Sequence, residues 1–110
     1  MNIQIFGKSK CFETKKAERY FKERGIRFQS IDILDKGLSK GELQSVVAAV
    51  GGIDALIDQK AKAYCMIRYL LQDAKAEKLM EVPGLYKTPI VRNGRMATVG
   101  YKPEEWKNWT

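Results

Sequence analysis

The chain has 110 residues, 45% of them apolar, which suits one hydrophobic core and a single domain spanning residues 1–110. It carries a net charge of +7 and no histidine, which excludes Ser-His and Cys-His catalysis. Two cysteines are too few for a disulfide framework or an ordinary zinc site, so no bound metal is expected. The sequence shows neither a bilayer-spanning apolar run nor a secretory signal, so we expect a soluble cytoplasmic protein without a membrane partner.

The first third of the chain predicts a β-α-β unit. Alternating apolar residues predict a strand at 2–6, which ends at Gly7. An amphipathic helix of about 12 residues follows, with Gly25 as its C-terminal stop. Alternation returns at 26–33 and predicts a second strand, parallel to the first.

The middle of the chain predicts helices. Ser39 and Glu42 form a capping-box signature ahead of an apolar-periodic run. Shorter helical segments are predicted at 53–57, 60–71 and 74–81. Together these segments make a helical insertion at about 39–82.

The last third predicts a β-hairpin and a helix. Residues 88–99 alternate around Asn93-Gly94, a strong hairpin signal, and Pro103 opens a final helix carrying Trp106 and Trp109. The complete order is β-α-β, a helical insertion, then β-β-α. This order predicts an α/β fold with a thioredoxin-like mixed sheet.

Cys11 stands where the first helix begins. Unpaired amide protons and the positive end of the helix dipole stabilise a thiolate there, and Lys8 and Lys10 are the nearest candidate cations. Thr14 occupies the second position of a C-x-x-C pair, so Cys11 acts as a monothiol. The Thr14 hydroxyl either donates a hydrogen bond to the sulfur or helps cap the helix. The competing interpretation of Cys11 is a small buried hydrophobe.

Two further positions bear on this site. Cys65 lies among apolar helical residues and is expected in the core rather than as a resolving cysteine. Thr88-Pro89 follows a loop and opens a strand, where a cis-proline would fix an extended backbone beside a substrate; a trans proline at a strand edge is the ordinary alternative.

Several short segments together resemble the ArsC/Spx family over nearly the whole chain. They are Ile5-Phe6-Gly7, Lys10-Cys11-Phe12-Glu13-Thr14-Lys15-Lys16-Ala17, Arg24-Gly25-Ile26, Gly41-Glu42-Leu43, Thr88-Pro89-Ile90-Val91 and Val99-Gly100-Tyr101. The resemblance implies a thioredoxin-like core with a helical insertion. It also implies that Cys11 is the nucleophilic or redox cysteine and that Pro89 is the cis-proline.

The chain departs from the arsenate reductases of this family at their oxyanion site. Those enzymes hold the oxyanion with three arginines, and aligned motifs place Asp58, Thr88 and Lys102 at these positions. Asp58 would repel an oxyanion, so we do not expect arsenate reduction. Lys102, Arg92 and Arg95 are the candidate residues for binding another anion, such as a glutathione carboxylate.

Two functions follow from the sequence. The first is a thiol-dependent oxidoreductase that uses Cys11, binds no cofactor, and completes turnover with a small thiol such as glutathione or with a protein thiol of the thioredoxin or glutaredoxin kind. The second is an Spx-like non-enzymatic regulator or protein-binding module, for which the resemblance implies RNA polymerase as the partner. No nucleic-acid motif accompanies the basic charge, so no specific nucleic-acid partner is expected.

Overall fold

A four-stranded mixed sheet forms the centre of the fold. The computed structural model describes residues 2–61 and 64–109. The strands are β1 (Ile3–Gly7), β2 (Phe28–Asp32), β3 (Ile90–Asn93) and β4 (Met96–Val99), and the helices are α1 (Phe12–Glu23), α2 (Lys40–Val50), α3 (Tyr64–Ile67), α4 (Gln72–Glu81) and α5 (Pro103–Lys107). The strand order is β2-β1-β3-β4, with β1 parallel to β2 and antiparallel to β3. The predicted α/β, thioredoxin-like mixed sheet is therefore confirmed.

Each face of the sheet carries its own core, because successive side chains of a strand point to opposite faces. Ile3 and Ile5 of β1 pack with residues of α1 and with Trp106 of α5. Phe6 belongs to the second core, which includes Leu43 of α2 and residues of the helical insertion. The sheet thus lies between two helical layers.

The second helix begins as its sequence predicts. The Ser39 hydroxyl accepts a hydrogen bond from Glu42 N at 3.2 Å, and Ser39 N donates to the Glu42 carboxylate at 2.9 Å. This reciprocal capping box satisfies two of the amide groups that the start of a helix leaves unpaired. The Gly51 φ of +87° ends the helix in the left-handed region, where glycine has no steric penalty.

The helix predicted at 60–71 is wrong in extent. Two of its residues, 62 and 63, lie outside the described part of the chain, and α3 covers only Tyr64–Ile67. Ile67 is the buried residue of this short helix, whereas Met66 and Tyr69 are 79% and 80% exposed. Apolar composition alone suggested a longer helix, but these side chains do not form one buried face.

The hairpin is present, with its turn one residue later than predicted. Asn93 pairs with Met96 as the last residues of the two strands, so Gly94 and Arg95 form the two-residue connection. Gly94 has φ +62°, while Arg95 does not have a positive φ. This combination is typical of a turn that requires glycine at its first central position.

The final helix is shorter than the pattern indicated, since Trp109 follows its end. Trp106 is fully buried and its indole N–H donates to the Thr98 hydroxyl at 2.7 Å. This bond joins α5 to β4. Across residues 2–61 and 64–109, no helix has the length and apolar character needed to cross a membrane.

Candidate active site

Cys11 is the N-cap residue of α1. Its backbone is extended, with φ −90° and ψ 116°, and its amide donates to the Lys8 carbonyl at 3.0 Å. The thiol donates to the Thr88 carbonyl at 3.7 Å, which brings the start of α1 against the segment before β3. The side chain is partly exposed, so a dissolved reagent can reach the sulfur.

The surroundings of the sulfur lower the pKa of Cys11. Burial acts in the opposite direction, since it raises the pKa by disfavouring the charged form. Donors on the side chains of Thr14 and Thr88 and on the backbone of Thr14 and Glu13 lower the pKa below its ordinary value. This arrangement favours the thiolate, which is the nucleophilic form of cysteine.

Thr14 is the buried neighbour of this sulfur. Among the described residues, its hydroxyl oxygen has no hydrogen-bond partner. We predict that a Cys11 thiolate is its acceptor, because a thiolate accepts a hydrogen bond from a hydroxyl group. Neither of the two roles predicted for Thr14 appears as a hydrogen bond of its hydroxyl among the described residues, so support of the thiolate stays a prediction.

Gly7 makes room for Thr14. A β-carbon on Gly7 would lie 2.2 Å from Cγ2 of Thr14 and 2.7 Å from its hydroxyl oxygen. Both distances are far below van der Waals contact. The end of β1 therefore needs glycine so that Thr14 can pack beneath the sulfur.

Lys8 and Lys10 are the two cations predicted to support the thiolate. The Lys8 ammonium donates to the carbonyls of Gly84 and Tyr86, each at 3.0 Å. This contact ties the loop before α1 to the segment before β3, and it directs the Lys8 charge to backbone oxygens. Lys10 is exposed, and a contribution from either lysine to the thiolate stays a prediction.

The Thr88–Pro89 peptide bond is cis, as the resemblance implies. Thr88 and Pro89 are both buried beside Cys11. Two backbone bonds of 2.7 Å hold the preceding segment against the end of the 3₁₀ turn Ile53–Leu56: Lys87 N donates to Leu56 O, and Asp58 N donates to Leu85 O. These bonds position Asp58 at the candidate site.

A cavity of about 660 Å³ opens beside the sulfur. Its walls come from α1, the segment after the 3₁₀ turn, and the segment before Pro89: Cys11, Glu13, Asp54, Ala55, Ile57, Asp58, Gln59, Lys60, Lys87 and Thr88. The volume falls in the range usual for small-molecule sites. A groove of about 650 Å³ between α2 and α4 is similar in size but is lined by no cysteine.

The three candidate anion-binding residues do not line this cavity. Arg92 donates to the carboxylate of Glu42 at 3.2 Å and to Gln4 at 3.1 Å in a partly buried network. Arg95 lies exposed in the hairpin turn. Lys102 lines an adjoining recess of about 470 Å³, which shares Lys87 with the Cys11 cavity. Anion binding by these residues stays a prediction.

Cys65 corrects a further expectation, because it is exposed rather than part of the core. The short α3 buries Ile67 and leaves Cys65 on the outer side. In the part of the chain that the structure describes, no group of three or more His, Cys, Asp or Glu side chains is placed to hold a metal ion.

Sequence reasoning missed Lys87 and Lys60, and treated Glu13 only as a neighbour of Cys11. A signal for Lys87 existed, since Tyr86 and Thr88 are buried on either side of it, an alternation that turns Lys87 outward. Lys60 had no such signal. Its place depends on the backbone bonds that fold the segment after the 3₁₀ turn over the sulfur.

The family model for the ArsC family matches residues 6–109, from Phe6 near the end of β1 to the last described residue. The chain belongs to the ArsC family. In this member a cysteine stands at the start of α1, and the Thr88–Pro89 peptide bond is cis.

The proteins similar to this chain include a regulator and a reductase. The global transcriptional regulator Spx 2 of Oceanobacillus iheyensis is 32% identical over 110 residues, covering 96% of this chain and 81% of that protein. An arsenate reductase structure from Vibrio cholerae matches with a TM-score of 0.86 and 25% identity, covering 98% of this chain and 97% of the other. The glutaredoxin-like NrdH-redoxin of Escherichia coli shares the fold, with a TM-score of 0.52 and 16% identity over 100% of this chain and 96% of the other.

Proposed function

We propose that this ArsC family member is a monothiol oxidoreductase, in which the Cys11 thiolate attacks a disulfide or another electrophilic sulfur. One observation carries the proposal: hydroxyl and amide donors surround a partly exposed sulfur at the start of α1 and lower its pKa. A thiolate of this kind is the attacking species in thiol–disulfide exchange. Pro89 and Thr88 position the substrate backbone or leaving group beside it.

A second thiol must come from outside the site. Thr14 stands where a resolving cysteine would lie in a C-x-x-C pair, and its hydroxyl cannot form a disulfide. An external thiol, either small, such as glutathione, or a protein thiol of the thioredoxin or glutaredoxin kind, attacks the mixed disulfide on Cys11. This attack releases the Cys11 thiolate for another turnover.

Arsenate is not the proposed substrate. Asp58 and Glu13 line the cavity, and their carboxylates disfavour a multiply charged oxyanion. Lys102, one of the residues aligned with the oxyanion arginines, lines the adjoining recess instead. An arsenate reduction assay with glutathione and glutaredoxin should therefore show no turnover above the Cys11→Ser control.

The oxidoreductase is tested by following Cys11 through one cycle. A Cys65→Ser protein is mixed with a small disulfide, and intact mass spectrometry should show one adduct, which peptide mapping assigns to Cys11. Added thiol should then remove the adduct and release the second half of the substrate. The matched Cys11→Ser, Cys65→Ser protein should form none, and an equally inert Cys11 would refute the proposal.

The relationship to Spx 2 favours a second candidate function, that of a regulator. In this case the chain binds RNA polymerase and does not need Cys11 for catalysis. One binding experiment with purified RNA polymerase, using the wild type and Cys11→Ser, distinguishes the two candidate functions. Stoichiometric binding by both proteins, without disulfide turnover by the wild type, would support the regulator over the enzyme.

A further inference from the structure

The cavity beside Cys11 is lined by charges of both signs. Glu13 enters from α1, Lys60 from the segment after the 3₁₀ turn, and Lys87 from the segment before the cis-proline. All three side chains are exposed, and within residues 2–61 and 64–109 none of them forms an ion pair. By contrast, Asp54, which also lines the cavity, is bound by the ammonium of Lys75 at 2.7 Å. The charges on Glu13, Lys60 and Lys87 are therefore available to a ligand.

A ligand of one sign does not suit this cavity. A purely anionic ligand would gain from Lys60 and Lys87 but would also face the carboxylates of Glu13 and Asp58. A purely cationic ligand would be attracted by Glu13 and Asp58 but repelled by Lys60 and Lys87. A ligand that carries an ammonium and a carboxylate close together can pair with both the acidic and the basic side chains of the cavity. Because the site is partly exposed, each ion pair contributes only a modest binding free energy.

The adjoining recess repeats the pattern. It shares Ala55 and Lys87 with the Cys11 cavity, and it adds Lys102 and Glu105 as a second pair of opposite charges. The two spaces therefore adjoin at Ala55 and Lys87. A disulfide with a zwitterionic group at each end presents both charges to the Cys11 cavity whichever of its two sulfurs is attacked.

From this arrangement we infer that the substrate is a small disulfide with an α-amino-acid group at each end, of which cystine is the simplest; the inference rests on the thiol chemistry proposed above. The Cys11 thiolate attacks one sulfur, forming a Cys11–sulfur bond as the substrate sulfur–sulfur bond breaks. The leaving amino-acid thiolate takes the electron pair and then a proton from water. An external small thiol attacks the mixed disulfide next, so that one substrate disulfide is exchanged for another and no further oxidant is needed.

The test compares four disulfides on the 110-residue chain with Cys65→Ser: L-cystine, cystamine, 3,3′-dithiodipropionate and bis(2-hydroxyethyl) disulfide. They carry, respectively, both charges, the cation, the anion and no charge at each end. Rates of adduct formation on Cys11 are measured by intact mass and divided by the rate of each disulfide with 2-mercaptoethanol, which removes intrinsic differences in reactivity. Exposed ion pairs are weak, so we expect a normalised preference for cystine of about tenfold over the neutral disulfide.

Charge-removing variants locate the source of this preference. Lys87→Gln and Glu13→Gln should each reduce the ratio of cystine to neutral-disulfide rates by about threefold. Lys15→Gln and Glu23→Gln are matched controls, since both residues are exposed on α1 and neither lines the cavity, and the ratio should not change. A ratio of rates within one protein is independent of any change that a substitution makes to the reactivity of the thiolate.

The outcomes separate this inference from the proposed function. Equal normalised rates for all four disulfides, with Cys11 still forming adducts, would overturn the zwitterionic substrate and leave the oxidoreductase intact. A preference for cystamine or dithiodipropionate, whose two ends carry charges of one sign only, over cystine would also overturn it. If none of the four disulfides modified Cys11, both the substrate class and the oxidoreductase would be refuted.

Discussion

Replacing Thr14 by valine should separate the reactivity of Cys11 from the stability of the fold. Thr14 is buried, and its hydroxyl has no hydrogen-bond partner among the described residues. Valine keeps both branches on the β-carbon, including the methyl that packs over Gly7, and removes the unpaired polar atom. A buried polar group without a partner costs about 1–3 kcal/mol, so Thr14→Val should be about 1 kcal/mol more stable when Cys11 is a thiol.

The same change should slow the reaction of Cys11. The Thr14 hydroxyl is one of the groups that lower the pKa of this thiol, so its loss raises the pKa and leaves less thiolate at neutral pH. Hydrogen bonds to charged groups contribute about 1.5–3 kcal/mol, and partial exposure reduces that value here, so alkylation should be about three- to tenfold slower. Stability and reactivity would then change in opposite directions.

The assay combines urea unfolding with iodoacetamide alkylation in a Cys65→Ser background. Unfolding is measured below the folded pKa of Cys11, where the side chain is a thiol, and repeated above it. At the higher pH the thiolate stabilises the wild type, so the stability advantage of the variant should be smaller. Thr14→Ser is the control: it keeps the hydroxyl and the alkylation rate but loses about 1 kcal/mol with the methyl. A Thr14→Val protein with wild-type stability and wild-type alkylation would show that the hydroxyl does not support the thiolate.

Three other outcomes follow from the structure. Because the folded state lowers the pKa of Cys11, ionisation of this thiol stabilises the wild type relative to Cys11→Ser. This stabilisation should be complete above the ordinary thiol pKa and should be lost as the pH falls through the folded pKa. Urea unfolding at a series of pH values measures it. Burial, and to a lesser extent the charge of Glu42, raises the pKa of Tyr86 to about 12. Ultraviolet titration should therefore show one tyrosine ionising near that pH, and this signal should be absent in Tyr86→Phe. The same raised pKa means that the contribution of Tyr86 to stability is complete below the ordinary tyrosine pKa and lost as pH rises through about 12. Trp106→Ala should lower the free energy of unfolding by about 3–5 kcal/mol, because Trp106 is fully buried, and a loss below about 1 kcal/mol would contradict the packing of α5.

The strands and the capped helices were predictable because their signals are local. Alternation located β1 and β2, and Ser39 with Glu42 marked the start of α2 through bonds that span three residues. The hairpin was predictable in the same way, although the strand pairing moved its turn from Asn93-Gly94 to Gly94-Arg95. Local patterns set such boundaries to within a residue or two.

The helical insertion was less predictable because tertiary packing decides it. An apolar run at 60–71 predicted one helix and a buried Cys65, yet α3 is four residues long and Cys65 is exposed. The approach of Lys60 and Lys87 to Cys11 depends on backbone bonds between segments almost thirty residues apart, such as Asp58 N to Leu85 O. Periodicity along the chain contains no information on such contacts.

The central claim concerns the ionisation of one thiol, and the pH dependence of Cys11 alkylation tests it most directly. The rate of iodoacetamide modification is followed in the Cys65→Ser protein from acid to alkaline pH, with peptide mapping to identify the modified residue. The donors around the sulfur predict a midpoint below the ordinary cysteine pKa. A midpoint at or above the ordinary value would contradict the account.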